Sequence, residues 1–276
     1  SPPCFATGTM TCSLPTRSIC GRPRRSNPSS ATATSMPAVQ PTTTDPPQGQ
    51  GPEVLHCIQF NARSITNKLA DFYEVIYGND YSCIFVTESW LSCDFPSSML
   101  DPECLFNVFR DDRSNRVGGG VCCLVSKKFR TVQLTVGECV VSNLLTVDLQ
   151  ADNVSYRFIT IYRPPLSNSD GIEDSLRLRK TIDSLVSSSP GSVYRLGDLN
   201  CGGIDWTFTT NSSNQVERTI SDVFRNNGFV QCVPVATRGT NLLDVVCTNE
   251  PLTLCRVDVV PPLALSDHNC VVFDIL

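Results

Sequence analysis

The chain has 276 residues, with 22 Lys and Arg against 27 Asp and Glu, a net charge of −5 and 41% apolar residues. That is enough for one domain of ordinary size with a tail, or for two small domains. No apolar run reaches the roughly 18 residues of a membrane-spanning helix and no Cys/His cluster has zinc spacing, so neither a membrane nor zinc is expected as a partner.

The prolines separate tail from domain. Ten of the nineteen prolines fall in residues 1–52, among many Ser and Thr and almost no aromatic residues. Such a segment buries too little surface to offset the entropy of ordering it, so it is expected to be disordered. Its four arginines (Arg17, Arg22, Arg24, Arg25) face one acid, Asp45, which leaves residues 53–276 at a net −8. From Glu53 onward the apolar residues fall into short regular runs, the mark of one globular domain over 53–276. Fifteen cysteines lack a disulfide framework and no signal peptide is visible, which suits a reducing intracellular compartment. Cys57, Cys83, Cys122, Cys247 and Cys270 lie inside apolar runs and read as core residues.

In chain order, Val54–Asn61 reads as a buried strand, with His56 facing the core. Ser64 is placed to cap a helix carrying Ile65, Leu69, Phe72 and Ile76, which Gly78-Asn79 ends. Apolar runs at Cys83–Glu88, Val121–Val125, Leu144–Leu149 and Tyr156–Tyr162 predict strands. Asp170 is placed to cap a second helix bearing Ile172, Leu176, Leu178, Ile182 and Leu185, stopped by Pro190-Gly191. A strand over Val193–Leu196 runs into Gly197-Asp198-Leu199-Asn200. Ser213 then opens a third helix with Val216, Ile220, Val223 and Phe224, and Gly228 follows its end. Strands at Leu242–Thr248 and Val271–Ile275 close the domain. Helices interspersed among more numerous strands favour a layered α/β (α+β) sandwich.

Polar clusters stand at the ends of these strands, where loops present side chains above a rigid scaffold. They are Asn61, Glu88, Tyr162 with Arg163, Asp198 with Asn200, Asn241 with Asp244, and Asp267 with His268. Any one of them is ordinary as a turn former or cap. Together they offer hard oxygen donors suited to Mg²⁺ and one of only two histidines in the chain. The acidic net charge does not favour nucleic acid, but a local basic surface is sufficient for phosphate contact. Arg110/Arg113/Arg116 and Lys127/Lys128/Arg130 can supply one, or be an ordinary solvated face.

The clusters, read in order, resemble a known family. Cys57-Ile58-Gln59-Phe60-Asn61-Ala62-Arg63-Ser64-Ile65, Val86-Thr87-Glu88-Ser89-Trp90-Leu91, Gly118-Gly119-Gly120, Ile161-Tyr162-Arg163-Pro164-Pro165, Gly197-Asp198-Leu199-Asn200, Thr237 through Asp244 and Leu265-Ser266-Asp267-His268-Asn269 look like the apurinic-type endonuclease domain of LINE-type non-LTR retrotransposons. That domain is part of the endonuclease/exonuclease/phosphatase superfamily. Asn61 through Ser64, with Gly203-Ile204-Asp205-Trp206, point towards the jockey-like branch.

The resemblance implies a four-layer sandwich of two packed β-sheets flanked by helices. It implies a Mg²⁺-dependent DNA endonuclease, with Mn²⁺ able to substitute, that nicks double-stranded DNA to expose a 3′-hydroxyl primer for target-primed reverse transcription. It further implies action in the nucleus, and element RNA as a partner through a polymerase domain after this chain. Carried over residue by residue, Glu88, Asn61 and Asp267 would form the metal neighbourhood. Asp198 would orient or deprotonate water, Asn200 would hold the scissile phosphate, His268 would meet its developing charge with Asp244 fixing the imidazole, and Tyr162 would contact phosphate or leaving group. Arg163 and Asn241 would contact DNA. Two positions depart from the pattern: Arg63 stands where repair apurinic endonucleases carry an acid, and Leu199 where an aromatic is usual. The alternatives are a phosphatase or deadenylase of the same superfamily, or an inactive DNA-binding relic.

Overall fold

The computed structural model describes residues 53–113, 118–136 and 141–276. The tail over residues 1–52 and Arg116 lie outside these. The described residues build two six-stranded mixed sheets. The first has the order β11-β12-β1-β2-β4-β3, with β11 Leu254–Val260, β12 Cys270–Ile275, β1 Leu55–Asn61, β2 Cys83–Thr87, β4 Val121–Ser126 and β3 Phe106–Asp111. The second has the order β5-β6-β7-β8-β10-β9, with β5 Arg130–Leu134, β6 Asn143–Ala151, β7 Val154–Tyr162, β8 Ser192–Asp198, β10 Asp244–Thr248 and β9 Val230–Gln231.

Inner faces of both sheets meet in one apolar layer that includes Cys57, Phe85, Cys123, Val147, Phe158, Tyr194, Val246 and Phe273. Phe85 bridges the sheets, with its ring centroid 5.0 Å from that of Phe158 and 6.2 Å from that of Phe273. Outside the first sheet lies helix α1 (Leu69–Tyr77), which buries Phe72 and Ile76. Outside the second lie α2 (Ser169–Ser187) and α3 (Gln215–Asn226), which bury Leu178, Ile182, Leu185, Val216, Ile220, Val223 and Phe224. Helix, sheet, sheet and helix make the four-layer sandwich that the family resemblance implies, one form of the layered α/β arrangement read from the strand and helix pattern. The five cysteines read as core residues are all buried.

Helix starts differ from the sequence reading. Ser64 does not cap α1: it stands in a left-handed turn with φ +80, and the helix opens four residues later at Lys68 with no side-chain cap. Asn168, not Asp170, caps α2 by accepting from Gly171 N, and Asn214, not Ser213, caps α3 by accepting from Val216 N and Glu217 N. In each case Asn accepts the orphan N–H groups of the first turn.

His56 also departs from expectation. It points outward with 49% of its side chain exposed and Nδ1 2.8 Å from Asp274 Oδ1. The β1 residue that faces the core here is Cys57, since neighbouring residues on a strand point to opposite faces. A half-exposed pair of this kind contributes about 1 kcal/mol or less. His56→Ala is therefore expected to move Tm by no more than about 4 °C in a thermal melt.

Candidate functional site

The pairing pattern gathers the polar strand ends at one edge. β1 and β2 run parallel with Asn61 opposite Thr87, so Asn61 and the next residue after β2, Glu88, end side by side. β7 and β8 run parallel with Tyr162 opposite Asp198, and antiparallel β10 begins with Asp244 opposite Asp198. His268 precedes β12, which runs antiparallel to β1. Each sheet thus supplies part of the cluster. Gln59 couples them from beneath, its Oε1 accepting from Gly197 N at 3.1 Å.

Asn61 lies between two acids. Its Nδ2 donates to Glu88 Oε1 at 3.0 Å and to Asp198 Oδ2 at 2.9 Å, while its Oδ1 accepts from Arg63 N at 3.1 Å. The second Glu88 oxygen accepts from the Trp90 indole at 3.0 Å. Asn200 holds Asp198 from the other side, through its backbone N to Oδ1 at 3.0 Å and through Nδ2 to Oδ2 at 3.0 Å. Because Nδ2 of Asn200 also donates to Arg163 O at 2.9 Å, its amide hydrogens are both engaged within the protein. Backbone strain concentrates here: Arg63, Ser64, Glu88, Trp90 and Asn200 all have positive φ without being glycine.

The second half of the site is a buried relay. His268 Nδ1 lies 2.7 Å from Asp244 Oδ2, which also accepts from the Thr237 hydroxyl at 2.7 Å. Thr237 Oγ1 in turn accepts from Leu243 N and Asp244 N, so it fixes the start of β10 as well as the carboxylate. Ser266 donates to Asn61 O at 2.7 Å and ties the His268 loop to β1. Donor atoms of Asp198, Asp244 and His268 all lie within 4.8 Å of one another, close enough to share a cation.

Charge and burial oppose one another in this cluster. Burial raises the Asp198 carboxyl above its ordinary range and the Asp244 charge adds to this, while His268 and the hydrogen bonds from Asn200 and Asn61 pull it back. Burial alone would lower the His268 imidazole, but the hydrogen bond and charge of Asp244, with Asp198 and Asp267 beyond, raise it overall. Burial followed by the charges of Glu88 and Asp198 raises the Tyr162 phenol, which stays protonated as a donor.

The structure therefore brings together Asn61, Glu88, Tyr162, Asp198, Asn200, Asp244 and His268. Three sequence candidates stand differently. Both oxygens of Asp267 are engaged by arginines, Oδ1 by Arg63 at 3.0 Å and Oδ2 by Arg238 at 2.7 Å. These two charges hold its carboxyl below the ordinary range against the opposing effect of burial. Arg163 does not reach the surface: it is buried, and its guanidinium donates to Leu199 O, Cys201 Sγ and Leu166 O. Asn241 lies exposed in a tight turn, bridged through its backbone to Arg238. Of the basic stretches, Arg110 is engaged by Asp112 and by the carbonyls of Phe95 and Ser92.

Trp90 and Thr237 were not singled out in the sequence, although both lie in quoted motifs. The Gly118-Gly119-Gly120 run, with φ of +87, +78 and +80, lies against the first. Ser89 N donates to Gly120 O and Trp90 N to Gly119 O, and a Cβ on Gly118 would touch the Trp90 indole at 3.5 Å.

A family model described as endonuclease-reverse transcriptase matches residues 156–272, the stretch carrying Tyr162, Asp198, Asn200, Asp244 and His268. No curated protein sequence matches the chain. Among solved structures, the chain is similar to the endonuclease domain of TRAS1, a telomere-specific non-LTR retrotransposon, with TM-score 0.61 and 14% identity over 81% of this chain and 98% of that one. It is also similar to AP endonuclease LMAP from Leishmania major, with TM-score 0.60 and 12% identity over 80% of this chain and 87% of that one. A third similar fold is the 3′ phosphatase NExo from Neisseria, with TM-score 0.59 and 14% identity over 80% of this chain and 99% of that one. The family match over residues 156–272 agrees with the resemblance read in the sequence, and the similar solved structures share the sandwich fold that it implies.

Proposed function

We propose, from this endonuclease-reverse transcriptase family match and its endonuclease/exonuclease/phosphatase fold, that the domain over residues 53–276 is a divalent-metal-dependent DNA endonuclease. It would nick double-stranded DNA and leave a 3′-hydroxyl primer for reverse transcription. On this reading the chain serves a LINE-type element of the jockey-like branch, in the nucleus, with a polymerase domain and element RNA as further partners. The observation that carries the reading is the meeting, at one sandwich edge, of a paired-acid half (Glu88, Asn61, Asp198) with a carboxylate–imidazole half (Asp244, His268).

The donor set fits a hard cation. Two carboxylates converge on one amide, and burial with the added charge of Asp244 raises the Asp198 carboxyl. Mg²⁺, or Mn²⁺ in its place, would be held chiefly by the Glu88 carboxylate, which Asn61 Nδ2 ties to Asp198, and would supply positive charge to the non-bridging and departing 3′ oxygens of the scissile phosphate. The side chains supply the rest. Asp198 Oδ1 accepts a single backbone hydrogen bond, which leaves it free to orient and deprotonate the attacking water. His268, tied through Nδ1 to Asp244, keeps Nε2 for the phosphate oxygen, and its raised affinity for a proton favours the cationic form there. Tyr162 offers its phenolic hydrogen to the phosphate or the leaving oxygen.

Nicking of supercoiled plasmid is expected to require Mg²⁺ or Mn²⁺ and to stop with chelator, and the nick should be extendable by a DNA polymerase. Glu88→Ala should lose most of the rate and recover part of it at high Mg²⁺. Full activity in excess chelator would refute the metal mechanism. Turnover of 3′-phosphorylated DNA or inositol phosphates without plasmid nicking would make the domain a phosphatase instead.

A further inference from the structure

The domain over residues 53–276 is acidic overall, so a duplex requires a local basic surface if it is to approach. Of the stretches that look basic in sequence, the Arg110 guanidinium is turned inward, and Arg113 donates to Val141 O and lies over the Tyr162 ring with its Cζ 5.7 Å from the centroid. Lys128 pairs with Glu53, before β1, the strand whose opposite end carries Asn61.

A different basic group stands at the site. Arg63 and Arg238 each meet one oxygen of Asp267, and the three side chains are 46%, 45% and 38% exposed. Each is joined by the backbone to a residue of the cluster. Arg63 N donates to Asn61 Oδ1, Arg238 follows Thr237, and Asp267 precedes His268. Arg63 adopts φ +42, a left-handed conformation that a long side chain rarely occupies without surrounding support. Lys68 lies beneath, its Nζ donating to Ala62 O and Arg63 O. Two guanidinium groups against the single Asp267 carboxylate leave this rim positive, while the Lys68 ammonium also lies near Asp71 and Glu88. Each guanidinium has further N–H donors besides the one that meets Asp267.

We infer that Arg63 and Arg238, held apart and oriented by Asp267, form a binding site for the DNA phosphate backbone flanking the cleaved bond. The inference rests on the nuclease reading and gives it a surface. A bidentate guanidinium fork suits a phosphate diester, and two forks pinned to one carboxylate are pre-organised for neighbouring phosphates on a strand. Asp267 acts here as a positioning residue for arginines. Arg63, at a position where related repair enzymes carry an acid, brings fixed positive charge to the mouth of the site.

The test is equilibrium binding of a short fluorescent duplex in chelator, read by anisotropy over a salt series. Replacing both Arg63 and Arg238 by Gln should lower the slope of log K against log salt by about 1.8, at about 0.9 for each phosphate no longer neutralised. Lysine at both positions should restore most of the slope, and thermal melts should show all variants folded. A matched pair on α2, Arg177→Gln with Arg179→Gln, removes the same charge elsewhere and should leave the slope unchanged. An unchanged slope in the Arg63/Arg238 variant, while the parent still nicks plasmid, would overturn the phosphate site and leave the nuclease reading intact. An equal fall in the α2 variant would also overturn it, by showing an effect of net charge alone. A parent that neither binds nor nicks duplex would overturn both.

Discussion

Gly197→Ala is expected to destabilise the domain by about 3 kcal/mol or more and to remove nicking from whatever fraction still folds. Gly197 adopts φ +126, and an added Cβ would lie 2.0 Å from Ile161 O and 2.9 Å from the carbonyl carbon and the nitrogen of the same residue. These are backbone atoms of β7, the parallel partner of β8, and cannot swing aside as a side-chain tip can. β7 and β8 would have to separate at Ile161 and Gly197, and the next pair along the ladder is Tyr162 with Asp198. The hydrogen bond from Gly197 N to Gln59 couples that point to the other sheet. Gly228 is the control: it has φ +67 but nothing within 4 Å of an added Cβ, so Gly228→Ala should cost only about 1 kcal/mol of backbone strain. Urea unfolding of both variants measures the contrast, and equal losses would show that the clash with β7 is not what requires glycine.

The same packing decides how much of the fold was legible in the sequence. Eight strands were read, and they are the eight interior strands of the two sheets. The four that were missed, β3, β5, β9 and β11, are the four sheet edges. An interior strand is covered by its sheet partners and by layers on both faces. Cys83–Thr87 and Asp244–Thr248 are therefore buried along their whole length and read as apolar runs. An edge strand is half solvated: Arg130–Leu134 and Leu254–Val260 mix charged and apolar residues, and β9 is only two residues long.

The candidate site was legible where chemistry coincides with a strand end, as at Asn61, Asp198 and Asp244. It was less so where a neutral or apolar-looking side chain does the holding. Nothing in the spacing marks Thr237 as the hydroxyl on Asp244, or Trp90 as the indole on Glu88, because both contacts turn through irregular or strained backbone rather than along a helix or strand period. Arg163 illustrates the opposite error. Its charge suggests DNA, but the loop after β7 folds it under Leu199 and Cys201 as a buried scaffold for the Asp198–Asn200 turn. For Asp267, sequence order alone cannot tell a carboxylate that faces a cation from one already held by two arginines.

His268→Ala is expected to slow nicking about 10²- to 10³-fold, the loss of roughly 3 to 4 kcal/mol that follows removal of one donor to developing transition-state charge. The imidazole is buried, fixed by Asp244 through Nδ1, and raised in proton affinity despite its burial, so on the proposed nuclease reading it would meet the phosphate as a pre-oriented cation. Asp244→Asn should give a weaker loss, because an amide can still hold Nδ1 but no longer stabilises the charge on the ring. Thr237→Val should be weaker again, about tenfold, since it removes one hydroxyl donor from Asp244 Oδ2 and the acceptor for Leu243 N and Asp244 N. Single-turnover nicking of supercoiled plasmid, alongside thermal melts, ranks the three. The order His268→Ala, Asp244→Asn, Thr237→Val follows from distance to the reacting phosphate along one hydrogen-bonded chain. If His268→Ala nicks as fast as the parent while remaining folded, the relay has no part in the chemistry and the assignment of this edge as the active site fails.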